Sequence, residues 1–271
     1  MKKRTFIAFV ASLAIVACCL VAPLAAQRGT PYRGPRAADG HPDLSGIWQA
    51  FSTAYWDLED HSPSPPQVYQ MGARGATPGG QSVVEGGDIP YKPAALETRK
   101  KNFANRLALD PEVKCYMPGI PRATYMPFPF QILQTPTHVL MAYEFASSDR
   151  VVNMGKPVEA AVDTWMGTAN GRWDGETLVV DNTGFNDMTW FDRAGNFHSD
   201  ALHVVERFTL MDADHIQYEA TIEDPQTFTR PWKISMPLYR RVEKNIRLTD
   251  FKCVEYSEEL LYGDLRKKPP K

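Results

Sequence analysis

The chain has 271 residues, of which 43% are hydrophobic and 23% are charged. This balance is typical of a globular protein and excludes a disordered, collagen-like or coiled-coil chain. The 30 basic and 32 acidic residues give a formal charge of -2, without the basic excess of most nucleic-acid-binding proteins, so we predict no nucleic-acid partner.

The first 26 residues have the pattern of a secretory signal peptide. Basic residues at positions 2–4 precede an apolar run, and small residues follow as far as Ala26. We expect cleavage after Ala26 and a periplasmic or secreted mature chain. Alternatively, residues 15–18 form a lipoprotein signal, which would leave the chain lipid-anchored through Cys18. We predict no transmembrane span in the mature chain, because no other apolar stretch is long enough.

An N-terminal arm, a first strand and a helix are predicted over residues 27–110. The strand lies within residues 43–48, which end in Gly-Ile-Trp. Residues 61–95 are rich in proline and glycine, which resist regular structure. We expect them to form an extended surface wrap or a partly disordered loop.

One short helix is predicted over about residues 93–109. Pro93 stands in the first turn, where proline is favoured, and Asp110-Pro111 ends the helix. The apolar stripe that predicts a buried helix face consists of Leu96, Phe103 and Leu107.

Residues 111–271 are predicted to form an antiparallel β body that makes one structural unit with residues 41–60. Residues 115–136 alternate prolines with aromatic residues, which favours a rigid aromatic arm on the sheet or the lining of a pocket. Asn170-Gly171 and Asp174-Gly175 are typical of hairpin turns. The predicted fold class is mainly β, an antiparallel meander forming a barrel or a strongly curved sheet. An α+β open sheet is the alternative.

Three strands with period-two patterning are predicted at about 202–211, 215–223 and 227–236. Turns centred on Ala213 and Pro225 place Glu206, Ala220 and Arg230 in one row on the core face. Because an isolated buried charge is very costly, Glu206 and Arg230 are expected to pair. The pair is either a polar anchor inside a ligand cavity or an ion pair that fixes the sheet.

The segment from Gly184 to Asp200 is the second candidate for function. Long loops of compact domains often carry function, and this one contains four aromatic residues together with acids and a histidine. It is expected to form a lid or an acid/base cluster in which His198 and Asp192 transfer protons. The alternative is a loop whose aromatic side chains plug one end of a barrel.

The predicted site residues fall into two groups. The predicted catalytic residues are His198, Asp192 and Glu206. The predicted substrate-binding residues are Arg230, Trp190, Tyr218, Trp165 and Phe185. After signal cleavage only Cys115 and Cys253 remain, and export favours a disulfide between them over two buried free thiols.

We predict no cofactor and do not favour a metal, although a metal bound by His198 and Asp200 with ligands from elsewhere in the chain stays open as an alternative. His198, His203 and Glu206 are residue types that bind metals. In the predicted register, however, His203 lies on the solvated face and Glu206 on the core face, so one ion would not easily bind both. The sequence contains no HExxH, paired CxxC, P-loop or GxSxG motif.

Two resemblances extend these expectations. Gly46-Ile47-Trp48 followed by an antiparallel meander resembles the calycin (lipocalin-like) barrels. Residues 115–122, 164–167, 171–181 and 198–208 resemble an uncharacterised family of exported bacterial proteins, with segments such as Gly171-Arg172-Trp173-Asp174-Gly175. The second resemblance implies export and a single unit over about residues 41–255, and it implies no particular activity.

The predicted function is that of an exported β-barrel that handles small molecules. The first hypothesis is a cofactor-independent acid/base enzyme, a hydrolase, lyase or isomerase, acting on a small apolar or aromatic substrate. Two alternatives stay open: a non-catalytic periplasmic ligand-binding protein, and a structural module of the cell envelope.

Overall fold

Nine β-strands form a closed barrel in the computed structural model, which describes residues 32–66 and 76–251. Strands adjacent in the chain are adjacent in the barrel, and the first strand also pairs with the last. The strands are β1 (Gly46–Ala50), β2 (Phe130–Gln134), β3 (His138–Tyr143), β4 (Asp149–Asn153), β5 (Thr168–Asp174), β6 (Thr177–Thr183), β7 (His203–Leu210), β8 (His215–Glu223) and β9 (Trp232–Arg240). The mainly β barrel prediction is confirmed, and the open α+β sheet is wrong.

The helices are few and short. They are α1 (Pro93–Ala104), α2 (Arg106–Leu109) and α3 (Arg122–Tyr125), with 3-10 turns at Pro111–Lys114 and Phe145–Ser147. Asp110 ends the helical segment and accepts the backbone N–H of Glu112 at 2.9 Å. Within the part of the chain that the structure describes, no helix is long and apolar enough to cross a bilayer.

The pairing of β4 with β5 is parallel, whereas the other barrel pairs are antiparallel. Only two residue pairs join these strands, Val152 with Ala169 and Asn153 with Asn170. Residues 154–167 make the crossover that a parallel connection requires. Before these two pairs, at the beginnings of β4 and β5, the two strands are not paired with each other.

The predicted register of β7 and β8 is confirmed. Glu206 lies opposite Ala220, and Phe208 lies opposite Tyr218. Alternate residues of both strands are buried, as expected for strands with one face toward the core.

The predicted register of β8 and β9 is wrong by an even number of residues. Ala220 lies opposite Ile234 rather than Arg230. The cause is Asp224, whose carboxylate accepts the backbone N–H groups of Gln226 at 3.0 Å and Thr227 at 3.2 Å. This capped loop replaces the tight turn expected at Pro225 and delays the start of β9 to Trp232. Because the shift is even, the predicted core face is retained while the cross-strand partners change.

The predicted buried stripe of the first helix is also wrong. Leu96, Phe103 and Leu107 are 37%, 45% and 37% exposed. The helix docks instead through polar side chains. Arg99 forms salt bridges at 3.6 Å to Asp57 and 3.4 Å to Glu59, and Asn102 donates to the carbonyl of Gly195.

Asn170-Gly171 lies inside β5 and is not a hairpin turn, whereas Asp174-Gly175 does precede β6 as predicted. A Cβ atom at Gly171 would collide with the Met154 sulfur, so this glycine allows close approach of the crossover. The Asn170 side chain pairs with both backbone groups of Val158 at 2.9 Å.

The segment 115–136 is more than an aromatic arm, since it includes the barrel strand β2 and the buried helical turn α3. In the proline- and glycine-rich segment, isolated bridges join His61 to Gly80 and Ser64 to Thr77, consistent with an extended wrap. The predicted signal peptide, Cys18 and Cys253 lie outside the described residues, so the leader and the Cys115–Cys253 disulfide stay predictions.

Arg240 of β9 links the segments that meet where the barrel closes. Its Nη1 donates to the Ser45 carbonyl and its Nε to the Ala213 carbonyl, both at 2.7 Å, and its guanidinium lies 4.2 Å from the Trp48 ring centroid. We expect Arg240→Ala to lower the free energy of unfolding by about 1–3 kcal/mol in urea denaturation. Arg172→Ala, an exposed change on β5, serves as control. Equal stability of the two variants would contradict this role.

Candidate functional site

A buried polar network lies inside the barrel around Glu206. Its Oε1 accepts the Tyr218 hydroxyl at 2.8 Å and Arg150 Nη2 at 3.1 Å. Its Oε2 accepts Arg150 Nη1 at 2.5 Å and Asn182 Nδ2 at 3.0 Å. Both carboxylate oxygens are therefore occupied by donors from β4, β6 and β8.

Arg150 reaches this network because alternate residues of β4 face inward. Its Nη1 also donates to Asn182 Oδ1 at 2.9 Å, and its Nη2 lies 3.1 Å from the Met141 sulfur. Burial is the largest single influence and would lower the pKa of the guanidinium, but the charge and hydrogen bonds of Glu206 together with the neighbouring Tyr143 and Tyr218 outweigh it and raise that pKa. Arg150 therefore remains a cation in the barrel interior.

The predicted Glu206–Arg230 pair is wrong. Arg230 precedes β9, is exposed, and donates to the Pro231 carbonyl at 3.1 Å. The sequence predicted the buried carboxylate but not its cation, because Arg150 belongs to β4, three strands away from β7 in the barrel order. The alternation of buried and exposed residues in β3 continues in β4, where Arg150 and Val152 both face the barrel interior. This alternation is the sequence signal that could have identified Arg150 as the buried cation.

His198 is buried, and both of its ring nitrogens are engaged. Nδ1 lies 2.8 Å from the Ser199 carbonyl oxygen, and Nε2 lies 2.6 Å from the Thr189 hydroxyl. Since a carbonyl only accepts, Nδ1 carries the proton and Nε2 accepts from Thr189. Burial lowers the pKa of His198, which agrees with this neutral form.

Asp192 organises the loop between β6 and β7. Its Oδ1 accepts the backbone N–H groups of Ala194 at 2.9 Å and Asn196 at 3.2 Å. Its Oδ2 accepts the backbone N–H of Leu58 at 2.9 Å and the side-chain amide N–H of Asn196 at 2.6 Å. Burial, followed by the charge of Asp57, raises the pKa of Asp192 to about 7.

The aromatic residues of the same loop cover one barrel end. Phe185, Trp190 and Phe191 are buried, and Phe191 packs edge-on against Trp232 at the start of β9 with ring centroids 5.6 Å apart. A Cβ atom at Gly167, where φ is +70°, would lie 2.7 Å from the Phe185 ring. Phe185 and Trp190, predicted to bind substrate, are therefore packed as a plug.

A second ionic cluster fastens this loop to the segment before β2. Buried Arg122 donates to Asp110 Oδ1 at 3.0 Å and to Glu112 Oε2 at 2.8 Å. Arg193 in the loop also pairs with Glu112, with Nε at 2.7 Å from Oε2. Such a network holds the 184–200 loop against movement as a lid.

A pocket of about 410 Å³ opens where β4 and β5 are not joined. Its lining comes from β4, the beginning of β5, the crossover and the segment before α3. The lining residues are Met117, Asp149, Arg150, Val151, Asn153, Val158, Thr164, Trp165, Met166, Gly167, Thr168 and Ala169. This is a concave site with a mostly apolar wall and a few polar groups, as small-molecule sites usually are.

Trp165 is the predicted substrate-binding residue that lines this pocket. Its ring packs on that of Tyr116, with centroids 4.7 Å apart. The crossover is held in place because Thr164 and the start of the 184–200 loop exchange backbone hydrogen bonds of 2.9 Å. Arg150, 4% exposed, belongs to both the pocket wall and the Glu206 network. Tyr218 is buried against Glu206.

The described residues contain no group of three or more histidine, cysteine or acidic side chains suited to a metal ion. His203 contacts Asp181 at 3.1 Å and Glu223 at 3.4 Å on the outer surface, whereas Glu206 faces the interior.

The chain matches no family model and no curated protein sequence.

Removing Arg150 alone leaves a buried, uncompensated carboxylate. We expect Arg150→Met to cost about 3–5 kcal/mol of unfolding free energy, and Arg150→Met with Glu206→Gln to cost clearly less than the sum of the single changes. Arg207→Met, which breaks a surface pair with Asp174, should cost below about 1 kcal/mol. Additive effects in a double-mutant cycle would contradict the pairing. If Arg150→Met is not obtained folded, recovery of a folded protein by the second substitution decides the question.

The Asp57–Asp192 pair predicts a pH dependence. Because the folded-state pKa of Asp192 is raised, the native state binds its proton more tightly, and this contribution to stability grows as pH falls from about 7 toward about 4. Asp57→Asn removes the neighbouring charge. Because the substitution also removes the Arg99 salt bridge, the expected result is a change in the difference from wild type, which should shift in favour of the variant by about 1 kcal/mol between pH 5.5 and pH 7.5.

The measurement is thermal unfolding of both proteins between pH 5 and 8. His198, whose lowered pKa acts in the opposite sense, is present in both proteins, so the difference between them isolates the acidic pair. Asp88→Asn, an exposed change, is the control. A constant difference across this range would contradict the prediction.

Proposed function

We propose that this protein is an exported β-barrel that binds a small, largely apolar molecule without transforming it. The observation that carries the proposal is the pocket at the β4–β5 opening, where Trp165, Met117 and Met166 line a wall that ends at Arg150. Export rests on the N-terminal sequence pattern described above.

The pocket has the size and lining of a ligand site. Six of its lining residues are apolar, namely Met117, Val151, Val158, Trp165, Met166 and Ala169. A volume of about 410 Å³ is within the range of drug-sized ligands. Trp165 offers a rigid aromatic surface, which costs little conformational entropy when a ligand covers it.

The contacts of the acid/base candidates favour binding over catalysis. A general base must reach the proton that it abstracts. His198 is enclosed with both nitrogens engaged, and Asp192 accepts four hydrogen bonds from its own and neighbouring loops. Glu206 is likewise saturated, and none of the three lines the pocket.

The test uses N-phenyl-1-naphthylamine, an uncharged fluorophore that brightens in apolar sites. We expect saturable binding to the mature protein, and Val158→Glu should weaken it at least about tenfold because a carboxylate then stands in the apolar wall. The matched control is Val162→Glu, which changes another exposed valine of the crossover that does not line the pocket. Binding that does not saturate, or that responds equally to both substitutions, would exclude this site.

A further inference from the structure

The two charged side chains of the pocket differ in whether they are available to contact a ligand. Asp149 and Arg150 are the ionisable side chains among its described lining residues. Asp149 is exposed at the beginning of β4. Arg150 points into the barrel, where both Nη atoms are hydrogen-bonded to Glu206.

The Glu206 pair leaves little positive charge for a ligand. Arg150 Nη1 contacts Glu206 and Asn182, and Nη2 contacts Glu206 and the Met141 sulfur. A cation paired with a carboxylate at 2.5 Å presents little net field to a third group. Of the three guanidinium nitrogens only the buried Nε has no hydrogen-bond partner among the described residues, so an anionic ligand would meet a cation whose charge Glu206 already balances.

The frame of the pocket adds further negative charge. The crossover of residues 154–167 contains Lys156, Glu159 and Asp163, so its acidic residues outnumber its basic residue. Asp149 on the wall and the crossover together contribute three exposed carboxylates and one lysine to this part of the molecule. A negatively charged ligand would be repelled here, and burying its charge against Trp165 and Met166 would add a desolvation cost.

We infer that the pocket selects against anions and takes an apolar ligand without negative charge, with Asp149 as the specificity-determining residue. This inference rests on the proposed function. Arg150 then stabilises the barrel interior through its salt bridge with Glu206, and the exposed Asp149 repels anionic ligands from the pocket. Fatty acids and other carboxylate ligands are excluded, while neutral aromatic or aliphatic molecules are admitted.

The experiment compares two probes that share one skeleton. N-phenyl-1-naphthylamine is uncharged, and 8-anilino-1-naphthalenesulfonate is an analogue carrying one sulfonate. We expect the neutral probe to bind the wild-type protein at least about tenfold more tightly at low salt. Asp149→Asn should improve binding of the sulfonate about three- to tenfold and leave the neutral probe within about twofold.

The matched control is Asp163→Asn, which removes an exposed crossover carboxylate that does not line the pocket and should change sulfonate binding less. Raising the salt concentration should narrow the difference between the probes. If the neutral probe binds saturably at the Val158-sensitive site but the sulfonate binds as tightly, or if Asp149→Asn leaves the ratio unchanged, the inference about charge is wrong and the proposed function stands. If neither probe binds at that site, both are wrong.

Discussion

The salt bridge between Glu206 and Arg150 is the constraint on which the rest of this barrel depends. Taking two charges out of water costs several kcal/mol for each, and the cost is offset only when pairing and hydrogen bonding are complete. Here Tyr218 and Asn182 complete the shell. Since the partners come from β4 and β7, an open or shifted sheet would separate them and leave both charges unpaired. Closure is thus enforced by electrostatics as well as by apolar packing.

The groups that stabilise the barrel interior have their hydrogen-bonding positions filled by other protein groups, and they are not the groups that line the proposed ligand site. The most buried titratable groups, among them Asp192 and Glu206, are those with the most protein partners. The less constrained groups lie at the β4–β5 opening, where the first residues of β4 pair with β3 on one edge but not with β5 on the other. A gap in the sheet costs backbone pairing, so its presence beside Trp165 and an apolar pocket fits a binding role.

The sequence predicted the β7–β8 hairpin down to its cross-strand pairs because period-two burial and a short turn determine them locally. It failed at β9 because the Asp224-capped loop follows from side-chain hydrogen bonds that alternation does not reveal. Trp165 was predicted as a substrate-binding residue, and it lies in the segment 164–167 that resembles the exported bacterial family. Arg150 was missed because its partner is distant in sequence, and a buried carboxylate specifies that a cation is needed without specifying which one.

The position of β1 has a consequence for the order in which the molecule can be completed. Its Trp48 is fully buried, and β1 is hydrogen-bonded on one edge to β2 and on the other to β9. Because β1 is synthesised first and β9 last, the second edge of β1 stays unpaired until β9 has been synthesised. Until then an apolar strand with free backbone groups is open to association with other chains, so a chaperone that shields nascent segments would matter most for residues 46–50.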